Sequence, residues 1–89
     1  LFLVVNASRK AVDFPLIESV LPSGVRLNPL PDRALLALQG PKVAELIPTE
    51  MSFMGVQRTT IAGFDVIASR SGYTGEDGLE ISVPAENAV

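Results

Sequence analysis

Thr59-Thr60-Ile61-Ala62-Gly63-Phe64-Asp65-Val66-Ile67-Ala68-Ser69 is the stretch that decides the fold. Thr59 to Ala62 and Phe64 to Ser69 are strand candidates on either side of Gly63, and two runs joined so closely read as a hairpin with a tight connection. Beyond it comes a glycine-rich segment and then a last strand, Leu79 to Val83. Before it, Ala34 to Leu38 is another strand candidate, led in by the turn residues Pro29-Leu30-Pro31-Asp32. Val25-Arg26-Leu27-Asn28 alternates apolar with polar, as a half-buried strand does. Leu1 to Val5 is a continuous apolar run, β-branched at its end, which suits a strand covered on both faces; Asn6-Ala7-Ser8 ends it.

Two short helices are expected between these strands. One runs from about Phe14 to Leu21, with Asp13 as N-cap and Pro15 in the first turn, where its missing N–H has no intrahelical partner to lose. Leu16, Ile17, Val20 and Leu21 then form an apolar stripe opposite Glu18 and Ser19, and Pro22-Ser23-Gly24 stops the helix. The other runs from Pro41 to Ile47, with Val43, Leu46 and Ile47 at i, i+3 and i+4 before Pro48. The resulting order has no strict βαβ alternation and at least one hairpin. It predicts an α+β fold with a mainly antiparallel or mixed sheet and short helices.

A chain of 89 residues allows one hydrophobic core, and no internal boundary, repeat or linker interrupts it. With 47% apolar and 19% charged residues, the composition is that of a folding chain rather than a disordered one. Seven Lys plus Arg against ten Asp plus Glu give a formal charge of -3, which offers no basic field to nucleic acid. No run is long enough to cross a bilayer, so no membrane partner is expected. His and Cys are both absent, which removes zinc clusters, thiol nucleophiles, disulfides, Ser/His/Asp triads and imidazole bases together. Any chemistry falls to carboxylates, Tyr, amides, backbone groups or a bound cofactor. Leu1 opens directly onto the apolar run, and Pro84 to Val89 begins a helical turn without completing it. Residues 1–89 are therefore expected to be an internal segment of a longer protein.

The glycine-rich segment carries the functional information. Gly72, Gly75 and Gly78 permit positive φ and close approach of a ligand to the backbone. The spacing matches neither the dinucleotide fingerprint nor the phosphate loop, and Glu76 and Asp77 at the tip are expected to repel phosphate. On loop statistics the segment is a long turn between two strands. Tyr73 is either an aromatic packed at a strand end or the wall of a pocket for a flat heterocycle. Glu80 lies between Leu79 and Ile81 and so points away from the core face that these share with Val83. There it is either a solvent-facing carboxylate or, facing a cavity, an acceptor for two parallel N–H bonds from an amino-pyrimidinone edge.

The run from Ser69 through Gly72-Tyr73-Thr74-Gly75-Glu76-Asp77-Gly78-Leu79-Glu80 to Pro84 resembles the signature region of the glycine cleavage system T proteins, tetrahydrofolate-dependent aminomethyltransferases. Val4-Val5-Asn6-Ala7-Ser8 and Ala34-Leu35-Leu36-Ala37-Leu38-Gln39-Gly40-Pro41 resemble the same family in the same order. The resemblance implies the folate-binding T-protein fold. It also implies attack by tetrahydrofolate on an aminomethyl group held on the lipoyl arm of the H protein, giving methylenetetrahydrofolate, ammonia and the reduced arm. Such a reaction suits a chain without His or Cys, because the cofactors carry the reactive centres.

Residue by residue, the resemblance makes Glu80 the carboxylate that holds the pterin edge, Tyr73 an aromatic lining the folate pocket, and Asn6 the polar position beside the reacting end of folate. The family's catalytic Asp falls upstream of Leu1, so no catalytic residue is assigned within the segment, and Asp13 does not replace it. No metal is implied. Alternatives on the same fold are the folate domain of a sarcosine or dimethylglycine oxidoreductase, a demethylase, and a non-catalytic folate-binding protein of iron-sulfur cluster assembly. The family implies a cytoplasmic location in a bacterium and the mitochondrial matrix in a eukaryote.

Overall fold

The computed structural model describes residues 1–46, 50–72 and 76–89. A 3-10 helix, Ala7–Arg9, leads into α1, Lys10–Val20. The strands are β1, Arg33–Gln39; β2, Val56–Ile61; β3, Phe64–Ser69; and β4, Gly78–Pro84. Further 3-10 turns occupy Val43–Glu45 and Ala85–Asn87. The four strands form one sheet in the order β1-β4-β3-β2, with every neighbouring pair antiparallel. The α+β class and the antiparallel sheet expected from the sequence are what the chain adopts. It divides into two compact units, Leu1–Leu30 and Pro31–Val89.

In the second unit β4 lies between two partners. It pairs with β1 from Arg33↔Pro84 to Gln39↔Gly78, and with β3 from Ile67↔Ser82 to Ser69↔Glu80. Leu79, Ile81 and Val83 project to one face and pack with Val66, Ala68, Val43 and Met51, with Ala34, Leu38, Ile61 and Ala88 at the margin. Leu79 is 1% exposed. Burying a Leu side chain so fully stabilises the fold by about 1.5–3 kcal/mol. The opposite face carries Glu80 and Ser82. Ser82 is buried there because Arg33 reaches across the sheet, donating from Nε to Ser82 Oγ (2.8 Å) and from Nη2 to Ser82 O (2.6 Å).

The hairpin is as tight as expected. Ile61 pairs with Phe64, and both intervening residues have positive φ, 51° at Ala62 and 84° at Gly63. Positive φ at both central positions makes a type I′ turn, whose twist matches the strands it joins. β2 reaches back to Val56, three residues beyond the expected start at Thr59.

Other expectations are corrected. Leu1 to Val5 and Val25 to Asn28 form no strands, since neither run has a ladder partner among the described residues and hydrophobicity alone does not make a strand. Most of these side chains are exposed. The first helix begins four residues before Phe14, so Asp13 sits inside its first turn and Arg9 takes the N-cap position. An acidic side chain there still suits the positive end of the helix dipole. Pro15 is thereby an interior residue, and it leaves the Ala11 carbonyl without its intrahelical donor. Both residues are exposed, which leaves that carbonyl within reach of water. None of the residues of α1, all described, is buried: of the expected stripe, Ile17 is half-buried while Leu16 and Val20 are exposed. Pro22 to Val25 does form the expected stop, a turn closed from Val25 N to Pro22 O with Gly24 at φ 84°.

The expected helix from Pro41 shrinks to the 3-10 turn at Val43–Glu45, because Val43 N bonds back only three residues, to Gly40 O. Its expected end at Ile47 and Pro48 lies outside the described residues. Among the described residues no helix is long and apolar enough to cross a membrane.

Candidate functional site

The β3–β4 ladder stops at Ser69↔Glu80. Directly opposed residues share a face, so the Ser69 hydroxyl and the Glu80 carboxylate stand together on the side away from the core. On the β1 side Glu80 is opposite Ala37, a small and exposed residue. Ser71, past the end of the ladder, donates from Oγ to Glu80 Oε2 at 3.1 Å, and its Oγ lies 3.3 Å from Ser69 Oγ. Glu80 is half-buried. Among the described residues Oε2 is the carboxylate oxygen that accepts a side-chain hydrogen bond. A carboxylate has about four acceptor positions, so the Ser71 bond leaves capacity for two further donors.

Arg70 fixes the chain beside this pair. Its N–H donates to Gly55 O (3.0 Å) and its carbonyl accepts from Met54 N (2.8 Å). Its side chain donates from Nη1 to Met51 O (2.6 Å) and from Nε to Asp77 Oδ1 (2.9 Å), and Nη2 pairs with Asp77 Oδ2. Asp77 Oδ1 also accepts from Gly78 N (3.0 Å), the first amide of β4. The hydrogen bonds from Arg70 hold the Asp77 carboxyl below its ordinary value, against a smaller opposing push from partial desolvation. The same bonds raise the Arg70 guanidinium. Asp77 is therefore not a free charge repelling phosphate, as the sequence reading has it; Arg70 answers it, and Glu76 is left as the exposed carboxylate.

Two of the glycines have separate reasons to be glycine. Gly72 has φ 54°, and a Cβ there would lie 2.9 Å from the backbone oxygen of Glu76. Gly78 has no positive φ, but a Cβ would lie 3.0 Å from the Leu38 backbone oxygen on β1. It keeps the two strands close where β4 begins.

The structure thus places Glu80 on the expected face and adds Ser71 and Arg70, which the sequence does not single out, and Asp77, expected there only as a charge at the loop tip. Their signals are faint: two serines spaced i, i+2 at a strand end, and opposite charges flanking a glycine-rich run. Asn6 belongs to the first unit, where its carbonyl accepts from Arg9 N (2.9 Å) and its exposed side chain makes no capping bond among the described residues. Glu80 belongs to the second. Tyr73 and Gly75 lie outside the described residues.

The family model described as the GCVT N-terminal domain matches residues 1–89. The chain is 39% identical over 105 aligned residues to a mitochondrial aminomethyltransferase of Dictyostelium discoideum, covering 100% of this chain and 26% of that protein. It is 36% identical over 94 residues to an aminomethyltransferase of Mycobacterium leprae (99% and 26% covered). It is also 36% identical over 95 residues to one of Thermotoga maritima (97% and 26% covered). The chain spans about a quarter of the length of these relatives. No solved structure matches it.

Proposed function

Because the chain belongs over its whole length to the GCVT N-terminal domain family, we propose that it is a segment of a tetrahydrofolate-dependent aminomethyltransferase of the glycine cleavage system. The observation that carries this reading is Glu80: a half-buried carboxylate on the non-core face of a central strand, oriented by Ser71 through one oxygen. A carboxylate held this way fits the two parallel donors of a pterin amino-pyrimidinone edge, a charge-assisted bidentate contact. An exposed Glu held by nothing would lose more rotamer freedom on binding.

Tetrahydrofolate supplies the amine nitrogens that take up the one-carbon unit. The contribution of this chain is to bind and orient: Glu80 holds the pterin edge, and Tyr73 and Asn6 are assigned to the pocket on the strength of the resemblance. The group that assists transfer is assigned to an Asp upstream of Leu1, and the aminomethyl donor to the lipoylated H protein. The location assigned with this reading is the cytoplasm in a bacterium and the mitochondrial matrix in a eukaryote; the Dictyostelium discoideum relative is named mitochondrial. That the similar proteins named above are aminomethyltransferases favours this reading over the related oxidoreductases and the iron-sulfur assembly proteins.

The test is calorimetric titration of tetrahydrofolate into the full-length protein that contains the segment, as wild type and as Glu80→Gln. The amide keeps the shape but turns one acceptor into a donor facing a donor. We expect the dissociation constant to rise about 10- to 100-fold, or roughly 1.4–2.7 kcal/mol, with the unliganded melting temperature nearly unchanged. Equal affinities would return Glu80 to the solvent. Residues 1–89 alone, given aminomethyl-loaded H protein, are expected to show no transfer to tetrahydrofolate; turnover would mean that the assisting group lies within the segment.

A further inference from the structure

Ser71 is the one described side chain that orients the Glu80 carboxylate by a hydrogen bond, yet no backbone pairing of the sheet holds Ser71 in place. The last β3–β4 pair is Ser69↔Glu80, so Ser71 lies two residues beyond the ladder. Chain beyond a ladder end ordinarily frays, and a serine there samples several positions. What holds it, besides the Ser69 hydroxyl 3.3 Å from its own, is its neighbour. Arg70 is bonded through its own N–H and carbonyl to Gly55 and Met54, and through its guanidinium to the Met51 carbonyl and to Asp77. Asp77 is tied to the first amide of β4, that of Gly78, two residues before Glu80 on the same strand. The ion pair thus closes β3 onto β4 where the backbone pairing stops, with Ser71 next to one partner and Glu80 three residues from the other.

We infer that Arg70 and Asp77 form a staple whose role is to position Glu80 for its ligand, acting through Ser71. The inference rests on the reading of Glu80 as the ligand-holding carboxylate and assigns positioning roles to Ser71, Arg70 and Asp77. A Glu carboxylate free to turn about its side-chain bonds presents its oxygens in many directions, whereas one fixed through Oε2 presents a constant pair of acceptors to a planar donor edge. The ligand then meets a site whose ordering cost is already met in the free protein. Both members of the ion pair are partly covered, with side chains 25% and 33% exposed. Its geometry, two guanidinium nitrogens on two carboxylate oxygens, is the bidentate form that Lys cannot reproduce.

The test measures tetrahydrofolate affinity by calorimetry and unliganded melting temperature for the full-length wild type, Ser71→Ala, Ser71→Thr, Asp77→Asn and the Ser71→Ala/Asp77→Asn double variant, with Glu80→Gln as reference. Ser71→Ala should raise the dissociation constant about 3- to 10-fold, the size of one charge-assisted hydrogen bond partly replaced by water, with little change in melting temperature. Ser71→Thr, which restores the hydroxyl, should return it to near the wild-type value. Asp77→Asn should weaken binding by a similar or smaller factor, and the double variant should bind no worse than the weaker single variant, because both changes act through one contact. If Asp77→Asn does not fold, the comparison of Ala with Thr at position 71 decides. The inference alone is overturned if Glu80→Gln weakens binding while Ser71→Ala does not, or if the two single effects multiply in the double variant. A wild type that does not bind tetrahydrofolate overturns this inference together with the reading beneath it.

Discussion

β2 and β3 are joined by Ala62 and Gly63, while β3 and β4 are joined by residues 70–77. The first connection is settled by backbone conformation alone: two residues at positive φ turn the chain, and beyond the adjoining residues no described atom lies within 4 Å of where a Gly63 side chain would start. The second is settled by side chains. Arg70 and Asp77 clasp its two ends, and Gly72 sits where a Cβ would meet the backbone of Glu76. A minimal turn leaves no room to build anything, whereas the longer one brings a serine and a glutamate into contact on the face away from the core. Length that adds nothing to the sheet is where a site can be placed.

The contrast is open to being broken by substitution at the two glycines. Gly72→Ala should destabilise the full-length protein by about 2–3 kcal/mol, since left-handed strain adds to contact with a backbone oxygen that has nowhere to yield. Gly63→Ala, with strain but open space, should cost about 1 kcal/mol. Equal losses in urea denaturation would mean that the longer connection is no more constrained than the hairpin.

Acid should sharpen the same contrast. The Asp77 carboxyl titrates below its ordinary 3.8 when folded, so its contribution is complete above the unfolded value and is lost as pH falls through the folded one. A carbon-13 titration of the carboxyl should give a midpoint below 3.8 in the wild type, moving up toward it in Arg70→Gln; an identical midpoint in both would break the pair's claim on the connection. The smallest effect belongs to the hairpin. Ala62 carries φ 51°, a conformation that favours glycine, and Ala62→Gly should stabilise the protein by up to about 0.5–1 kcal/mol after the added freedom of the unfolded chain is allowed for. A destabilised variant would mean that the Ala62 methyl makes a contact that outweighs its strain.

The hairpin was legible because its information is local: a glycine between two strand-like runs admits few other conformations. β1 was legible because turn residues lead into a short apolar run, and β4 because its apolar residues alternate with polar ones. The face of Glu80 followed from Leu79, Ile81 and Val83, since alternation fixes direction once one side is core. Leu1 to Val5 and Val25 to Asn28 misled because an apolar or alternating run states a preference for burial, and a strand also requires a partner that no local pattern supplies. Pro15 misled by assuming the helix begins near it, when the helix tolerates it inside with an exposed carbonyl. The bond from Ser71 to Glu80 and the pair of Arg70 with Asp77 were not legible. They depend on where the ladder between β3 and β4 stops, and register is a property of two strands together.

Glu80, held by Ser71, is proposed as a ligand-binding carboxylate rather than a surface charge. A crystal structure of the full-length protein with tetrahydrofolate tests it most directly. Both Glu80 oxygens are expected within about 2.7–2.9 Å of the pterin amino-pyrimidinone nitrogens, with the Ser71 hydroxyl still on Oε2. A bound folate whose pterin edge is held by other groups, with Glu80 turned to water, would contradict it.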